Sequence, residues 1–241
     1  MPELTSTKFT EELVNNLETI KVLDHGYVKL LRVDGTDLDI QNAAHASFNK
    51  SVTEVKPEFI ERLAKERHMS PFRHVGLWLE IKLPGDVRGQ FLKHIVGNCV
   101  VEEGSAWNEE SFRGAHGENL DFHIPEPRYP KGRWGQGDKA EKALNDEFQR
   151  ELKYACERAE YNYKRWVEKG VAAENARKFL PFYSMYTTVR NRMSLEAAFH
   201  FWELRQTEHA QLEIKEYARA INTICAKYFP ISWGALTNAR S

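Results

Sequence analysis

Two groups of polar residues in this chain are costly to fold around unless a polar partner meets them. The first runs from His68 to Arg113, where His68, Ser70, His74, Gln90, Lys93, His94, Glu109, Ser111 and Arg113 surround one short apolar segment. Donors and charges gathered in that way call for an anionic or polar ligand. The second group is Ala198, Trp202, Arg205, His209 and Leu212, whose spacings of four, three, four and three put them on one face of a helix. There Arg205 either pairs with a carboxylate while its stem covers apolar surface, or its guanidinium reads a planar polar ligand.

Other chemistries find less support. Several histidines raise the question of a metal, but His68 and His74 flank a Pro-Phe turn and no carboxylate pair completes a ligand set, so no metal site is expected. Cys99, Cys156 and Cys225 lie far apart without a CxxC spacing, which fits reduced thiols, and Cys99 is either a nucleophile or a small packed residue. Neither a GxGxxG stretch nor a phosphate-cradling P-loop occurs.

The elements that position these residues follow from periodicity. Residues 9–22 read as a short amphipathic helix, residues 27–33 as a strand ending at Asp34-Gly35, and Pro57 opens a helix that continues to His68. Residues 76–83 form the clearest strand, stopped by Pro84-Gly85. A helix then brings Val87, Phe91, His94 and Ile95 onto one face and aims Gln90 and His94 at a common wall. Residues 114–137 read as a loop; Asp138 and Glu141 form a capping box for a long helix striped by Leu144, Phe148, Leu152, Ala155, Ala159, Tyr163 and Trp166. A short helix and a turn follow, and Ser194 caps a last long helix reaching about Ile224.

With 241 residues, 29% of them charged, and a formal net charge of -1, the chain suits one domain over residues 1–241 and has no overall field for nucleic acid or membrane. Its first residues lack the apolar core of a signal peptide and no run reaches membrane-spanning length, so a soluble cytoplasmic protein is expected.

Several segments together resemble the flavin-dependent thymidylate synthases. His68-Met69-Ser70-Pro71-Phe72-Arg73-His74 is similar to that family's His-x-Thr-Pro-Phe-x-His segment, and Ala43-Ala44-His45-Ala46-Ser47-Phe48 to its AARVSF segment. The stretch from Gln90 through Lys93, His94 and Ile95 takes the place of QWxRHR, and Ser105 to Arg113 that of SxNxxSxR. Arg177 before Leu180-Pro181, and Leu204-Arg205 followed by His209-Ala210-Gln211 and Glu213, complete the series. Departures are equally specific: Lys93 and Ile95 replace two arginines, about eight extra residues separate the halves of the central motif, the step from Ser105 to Asn108 is one longer, and Arg73 stands where the family usually has Glu.

The resemblance implies an α+β fold, a mixed or antiparallel sheet with long packed helices, and a reaction that adds a one-carbon unit from 5,10-methylenetetrahydrofolate to C5 of dUMP and reduces it with FADH2, recharged by NADPH. Arg205 would be the catalytic residue, stabilising charge on the pyrimidine without a covalent bond to enzyme. Gln90, Glu109, Ser111, Arg113, Arg177 and Arg205 would bind the nucleotide, and His68, Ser70, Lys93, His94, His200 and His209 the FAD. A homotetramer with FAD sites between subunits is implied too. Two alternatives stand beside this: a C5 methylase or hydroxymethylase of another pyrimidine nucleotide such as dCMP, serving modified DNA, and a non-catalytic nucleotide-binding scaffold.

Overall fold

The computed structural model describes residues 18–94, 107–111, 120–133 and 135–239. In chain order the elements are β1 (Thr19–Val22), β2 (Gly26–Asp34), α1 (Asp37–His45), α2 (Pro57–Lys65), β3 (Gly76–Pro84), α3 (Gly85–Phe91) and β4 (Trp107–Glu109). They continue as β5 (Arg128–Lys131), β6 (Gly135–Lys139), α4 (Lys142–Glu168), α5 (Ala173–Ala176), β7 (Tyr186–Ser194), α6 (Leu195–Arg205), α7 (Leu212–Tyr228) and α8 (Pro230–Asn238). The sheet has five strands in the order β1-β2-β3-β7-β4, all neighbours antiparallel, and β5-β6 is a separate hairpin. An α+β architecture with an antiparallel sheet is thus observed, as expected.

Strict alternation in β3 explains its central place. Leu77, Leu79, Ile81 and Leu83 are fully buried on one face, against Ile214, Tyr217, Ala218 and Ile221 of α7 and Phe201 of α6 within the same core. β3 and β7 pair along nine residues, Gly76 with Ser194 at one end and Pro84 with Tyr186 at the other. Each strand runs directly into a helix, β3 into α3 and β7 into α6. Because the strands are antiparallel, these helices start from opposite ends of the pair. Nine strand residues span about 30 Å, while α3 and α6 have lengths of about 10 and 17 Å. The two helices come together where Phe91 stacks edge-on against Phe201 at 5.0 Å between ring centroids.

Several sequence expectations need correction. Residues 19–22 pair with β2 instead of ending a helix, and residues 9–17 lie outside the described residues. The stretch around Asn42 is a helix, α1, with a capping box from Thr36 and Asp39. Asp138 belongs to β6, so its expected box with Glu141 does not form, and the supposed loop contains the β5-β6 hairpin. Only the C-terminal half of the α4 stripe is covered: Tyr163 is buried, whereas Leu144 and Phe148 are 42% and 41% exposed. Tyr186 to Ser194, read as following a turn, is a full strand that includes Thr187 and Asn191 among buried residues.

The last long helix is in fact two helices with a break at residues 206–211, so Arg205 and His209 do not share one helical face. No Gly or Pro announces the break. Tertiary contacts make it: the Leu212 N–H donates to Gln136 Oε1 of the hairpin at 2.8 Å, and the Gln211 side chain is held by α3. Ser194 does cap α6, its hydroxyl accepting from Ala197 N at 3.1 Å. No helix among the described residues is long and apolar enough to cross a membrane.

At the sheet edge, the segment after Leu120 is pinned by charge. His123 Nδ1 lies 2.9 Å from Asp24 Oδ1, and Tyr186 donates its hydroxyl to the same carboxylate. Glu213 Oε1 is 3.9 Å from His123 Nε2, too far for a hydrogen bond, so it acts on the ring through charge. Burial opposes a charged imidazole, but the flanking carboxylates of Asp24 and Glu213 outweigh it and raise His123 to about 9. Asp24 in turn is held well below the usual carboxylate range, its hydrogen bonds to His123 and Tyr186 overcoming burial.

A raised folded-state value means that the protonated ring stabilises the fold. That contribution is complete below the ordinary value of 6.5 and is lost as pH rises through about 9. Thermal melting should therefore fall between pH 7 and pH 9.5, by up to roughly 3 kcal/mol of stability, and His123→Gln should flatten that dependence. An equally steep loss in the variant would assign it to other groups.

Candidate functional site

Three of the six expected nucleotide ligands converge on one cleft of about 570 Å³, namely Glu109, Ser111 and Arg177. Arg88, Glu110, Lys178, Leu180, Phe182, Met185 and Thr187 complete its lining. Gly85 permits the close approach that forms one wall. A Cβ on it would stand 2.1 Å from the Phe182 carbonyl oxygen, and its own N–H donates to Met185 O at 3.1 Å. Across the floor, Glu109 accepts from Arg88 Nε at 2.8 Å, from a second Arg88 nitrogen, and from the Thr187 hydroxyl at 3.2 Å. Arg177 sits on the short 3₁₀ turn after α5, half-buried. Such a cleft offers guanidinium, ammonium and hydroxyl donors to an anion beside an apolar wall.

Where α3 and α6 meet, Arg205 Nε donates to His94 Nε2 at 3.0 Å. A guanidinium only donates, so His94 is neutral there and carries its proton on Nδ1. Burial, then the Arg205 charge and His200, push His94 down to about 4, which keeps it neutral. Burial also pulls the Arg205 guanidinium down from its ordinary value, yet it stays charged near neutral pH. With Nε engaged, the two Nη groups form an end-on fork suited to a planar ligand with adjacent acceptors. His200 stands beside this pair, its ring 6.4 Å from that of His94.

Gln90 does not line the 570 Å³ cleft. Its amide N–H donates to Gln211 Oε1 at 2.6 Å, and Gln211 Nε2 donates to Asp86 Oδ2 at 2.6 Å. Because a carboxylate only accepts, Asp86 orients both amides, and Gln90 keeps its carbonyl and its second N–H for a ligand. One of the two Gln90 amide N–H groups is thus taken within the protein. Arg113, Ile95 and Cys99 lie outside the described residues.

The six expected flavin ligands divide. His68 and Ser70 line a second cleft, about 550 Å³, with Ala43, Ala44, Ser47, Phe59, Arg62 and His74. His94 and His200 belong to the Arg205 group, while Lys93 and His209 are exposed. Within one chain these residues form two places, not one. Arg73 has a physical role: Nε and Nη2 clasp both oxygens of Glu196, a buried residue in the first turn of α6, the second bond being 3.2 Å long. The charge reversal at Arg73 is matched by this acidic partner.

Sequence reasoning did not find Arg88, Lys178, Phe182 or Thr187 in the first cleft, nor Asp86 behind Gln90. Arg88 had a visible signal in the sequence, a cation on the short helix that also presents Gln90 and ends three residues before His94. Thr187 had none, because its strand went unrecognised.

An antiparallel α+β fold with a nucleotide-sized, cation-lined cleft between sheet edge and helices defines a class of small-molecule-binding protein. The thymidylate synthase complementing protein family matches residues 29–231, and the chain belongs to that family. Among curated relatives, a flavin-dependent thymidylate synthase of Thermus thermophilus is 34% identical over 222 residues, covering 90% of this chain and 77% of that protein. That of Kosmotoga olearia is also 34% identical, over 225 residues, covering 91% and 93% respectively. A solved UMP/dUMP methylase, PolB from Streptomyces cacaoi bound with 5-Br dUMP, shares the fold with a TM-score of 0.76 at 24% identity, covering 91% of this chain and 97% of that one.

Breaking the Arg73 clasp should show in stability. Arg73→Glu sets a like charge beside buried Glu196 and should lower the melting temperature by several degrees, about 1–3 kcal/mol. The swap R73E/E196R should recover most of that loss. Unchanged melting in R73E would show that the clasp contributes nothing.

Proposed function

We propose that this protein is a flavin-dependent pyrimidine nucleotide C5 one-carbon transferase, converting dUMP to dTMP with methylenetetrahydrofolate as carbon donor and NADPH as the source of reducing equivalents. The observation that carries this is the Arg205 fork, a partly buried guanidinium held on neutral His94. C5 of a uracil is a weak nucleophile, and donors aimed at the carbonyl and ring nitrogen that gain charge make it stronger. A thiol attack would need an accessible, low-lying cysteine. Of the two cysteines among the described residues, Cys156 and Cys225, burial pushes both thiols up and neither lines the 570 Å³ cleft, while Cys99 lies outside the described residues.

The nucleotide phosphate falls to Ser111, Arg113 and Arg177, and Glu109 and the Gln90 carbonyl are acceptors toward the sugar and base. The second cleft fits a flavin ring system: Ala43 and Ala44 keep one side low, Phe59 supplies an apolar face, and His68 and Ser70 supply polar edges. Behind it His45 Nδ1 is buried without a hydrogen-bond partner, its ring 4.6 Å from that of Phe59. Lys93, His94, His200 and His209 complete the flavin set from other parts of the assembly. When bound, the flavin supplies the hydride that finishes the methyl group. The family resemblance further implies a cytoplasmic homotetramer, and the exposed Leu144, Phe148, Tyr154 and Tyr161 on α4 support self-association.

Purified protein should be yellow and should convert dUMP to a product heavier by one methyl group, given methylenetetrahydrofolate and NADPH. A hydroxymethyl product from dCMP would replace this reading with modified-base synthesis, and colourless, inactive protein would leave only a nucleotide-binding scaffold. Arg205→Ala should lower kcat by about 10²–10³ with flavin content unchanged. His94→Gln, which can still accept from Nε, should retain far more activity than His94→Leu; equal rates in the two would deny His94 any part in placing Arg205.

A further inference from the structure

The first cleft receives cations from separate elements. Arg177 and Lys178 come from the turn after α5, and Arg88 comes from α3. Arg88 lies outside every segment that carries the family resemblance. Lys93, five residues later and within the central motif, is exposed and does not line this cleft. The helix thus places a guanidinium in the cleft at a position where the motif does not ask for one.

The pose of Arg88 is set before any ligand arrives. Nε donates to Glu109 at 2.8 Å, a second nitrogen donates to the other carboxylate oxygen, and the guanidinium carbon is 5.9 Å from the centroid of the Phe182 ring. A guanidinium has five N–H donors and this pairing uses two, so more remain for an anion. The side chain is 26% exposed, restrained yet open to the cleft. Glu109 is held from a second direction by Thr187, at 3.2 Å. Without Arg88 a bare carboxylate would face any incoming anion; with it, that charge is balanced locally.

We propose that Arg88 is a phosphate-binding residue of the nucleotide site, reading the 5′-monophosphate of a pyrimidine nucleotide from a different wall than Arg177. The inference rests on the nucleotide reading given above. A monophosphate has three terminal oxygens, and donors from two walls match its shape better than donors from one. Arg88 would keep its clasp on Glu109 and offer its unused N–H groups, so the carboxylate acts as a positioning residue for a phosphate ligand.

The test is calorimetric titration of the flavin-loaded protein with dUMP, deoxyuridine and inorganic phosphate, in the wild type, R88Q, E109Q and R88Q/E109Q. In R88Q the affinity for dUMP should fall by about 10–100-fold more than that for deoxyuridine, which reads only the changed placement of Glu109. Inorganic phosphate should compete with dUMP less well in the same variant. The double variant should still bind dUMP at least about tenfold more weakly than E109Q. Recovery of the double variant to the E109Q level would mean that Arg88 only neutralises Glu109, and would overturn the proposal. Equal losses for dUMP and deoxyuridine in R88Q, or no loss of either, would overturn it too. Should R88Q alone fail to fold, the neutral double variant against E109Q reads the same difference. If the wild type itself binds no dUMP, it is the nucleotide reading that fails, and this inference with it.

Discussion

Antiparallel pairing of β3 with β7 along their full length is the constraint on which the site depends. Each strand ends where a helix begins, and the helices return over the sheet from opposite ends. This places His94 against Arg205 although 111 residues separate them in the chain. The same pairing sets Thr187, on the neighbouring strand end, within reach of Glu109 on β4. A one-residue slip would turn every inward side chain of β3 outward, and the buried Leu77, Leu79, Ile81 and Leu83 row prevents it.

On that frame the charges are handled in three ways. Among the described residues no carboxylate pairs with Arg205; it rests on a neutral imidazole, so its charge is partly desolvated without being cancelled by them. That is the arrangement a charge-stabilising group needs, since an adjacent carboxylate would weaken its field. Arg88 is cancelled by Glu109 and oriented by it, which suits recognition more than catalysis. Arg73, gripping Glu196 at the start of α6, joins two segments and serves the fold. The three arginines thus differ in what their nitrogen atoms meet: a neutral imidazole, a carboxylate lining the cleft, and a buried carboxylate in the first turn of α6.

The departures from the family pattern gain meaning in this setting. The Lys93 position, in the turn after α3, is exposed, and a cation enters the cleft from Arg88 on α3 instead. The reversed charge at Arg73 is accompanied by an acid on the facing helix. The Arg73 position lies where two elements meet, and its charge is balanced by a residue of the other element. A motif written along a single segment does not contain that partner.

What the sequence determined by itself was local. Strong alternation identified β3, Pro57 the start of α2 and Ser194 the cap of α6, because each signal needs only neighbouring residues. The motif residues Glu109, Ser111 and Arg177 were legible as one site for a different reason, the shared family pattern. Only the tertiary structure decided the rest. It broke the last helix after Arg205 through Gln136 and the Asp86-Gln211-Gln90 chain, tied one Gln90 N–H to Gln211, made a strand of Tyr186 to Ser194, and chose His94 as the partner of Arg205. These outcomes rest on hydrogen bonds between residues dozens of positions apart, and periodicity along a chain carries no information about which distant donor will meet which acceptor.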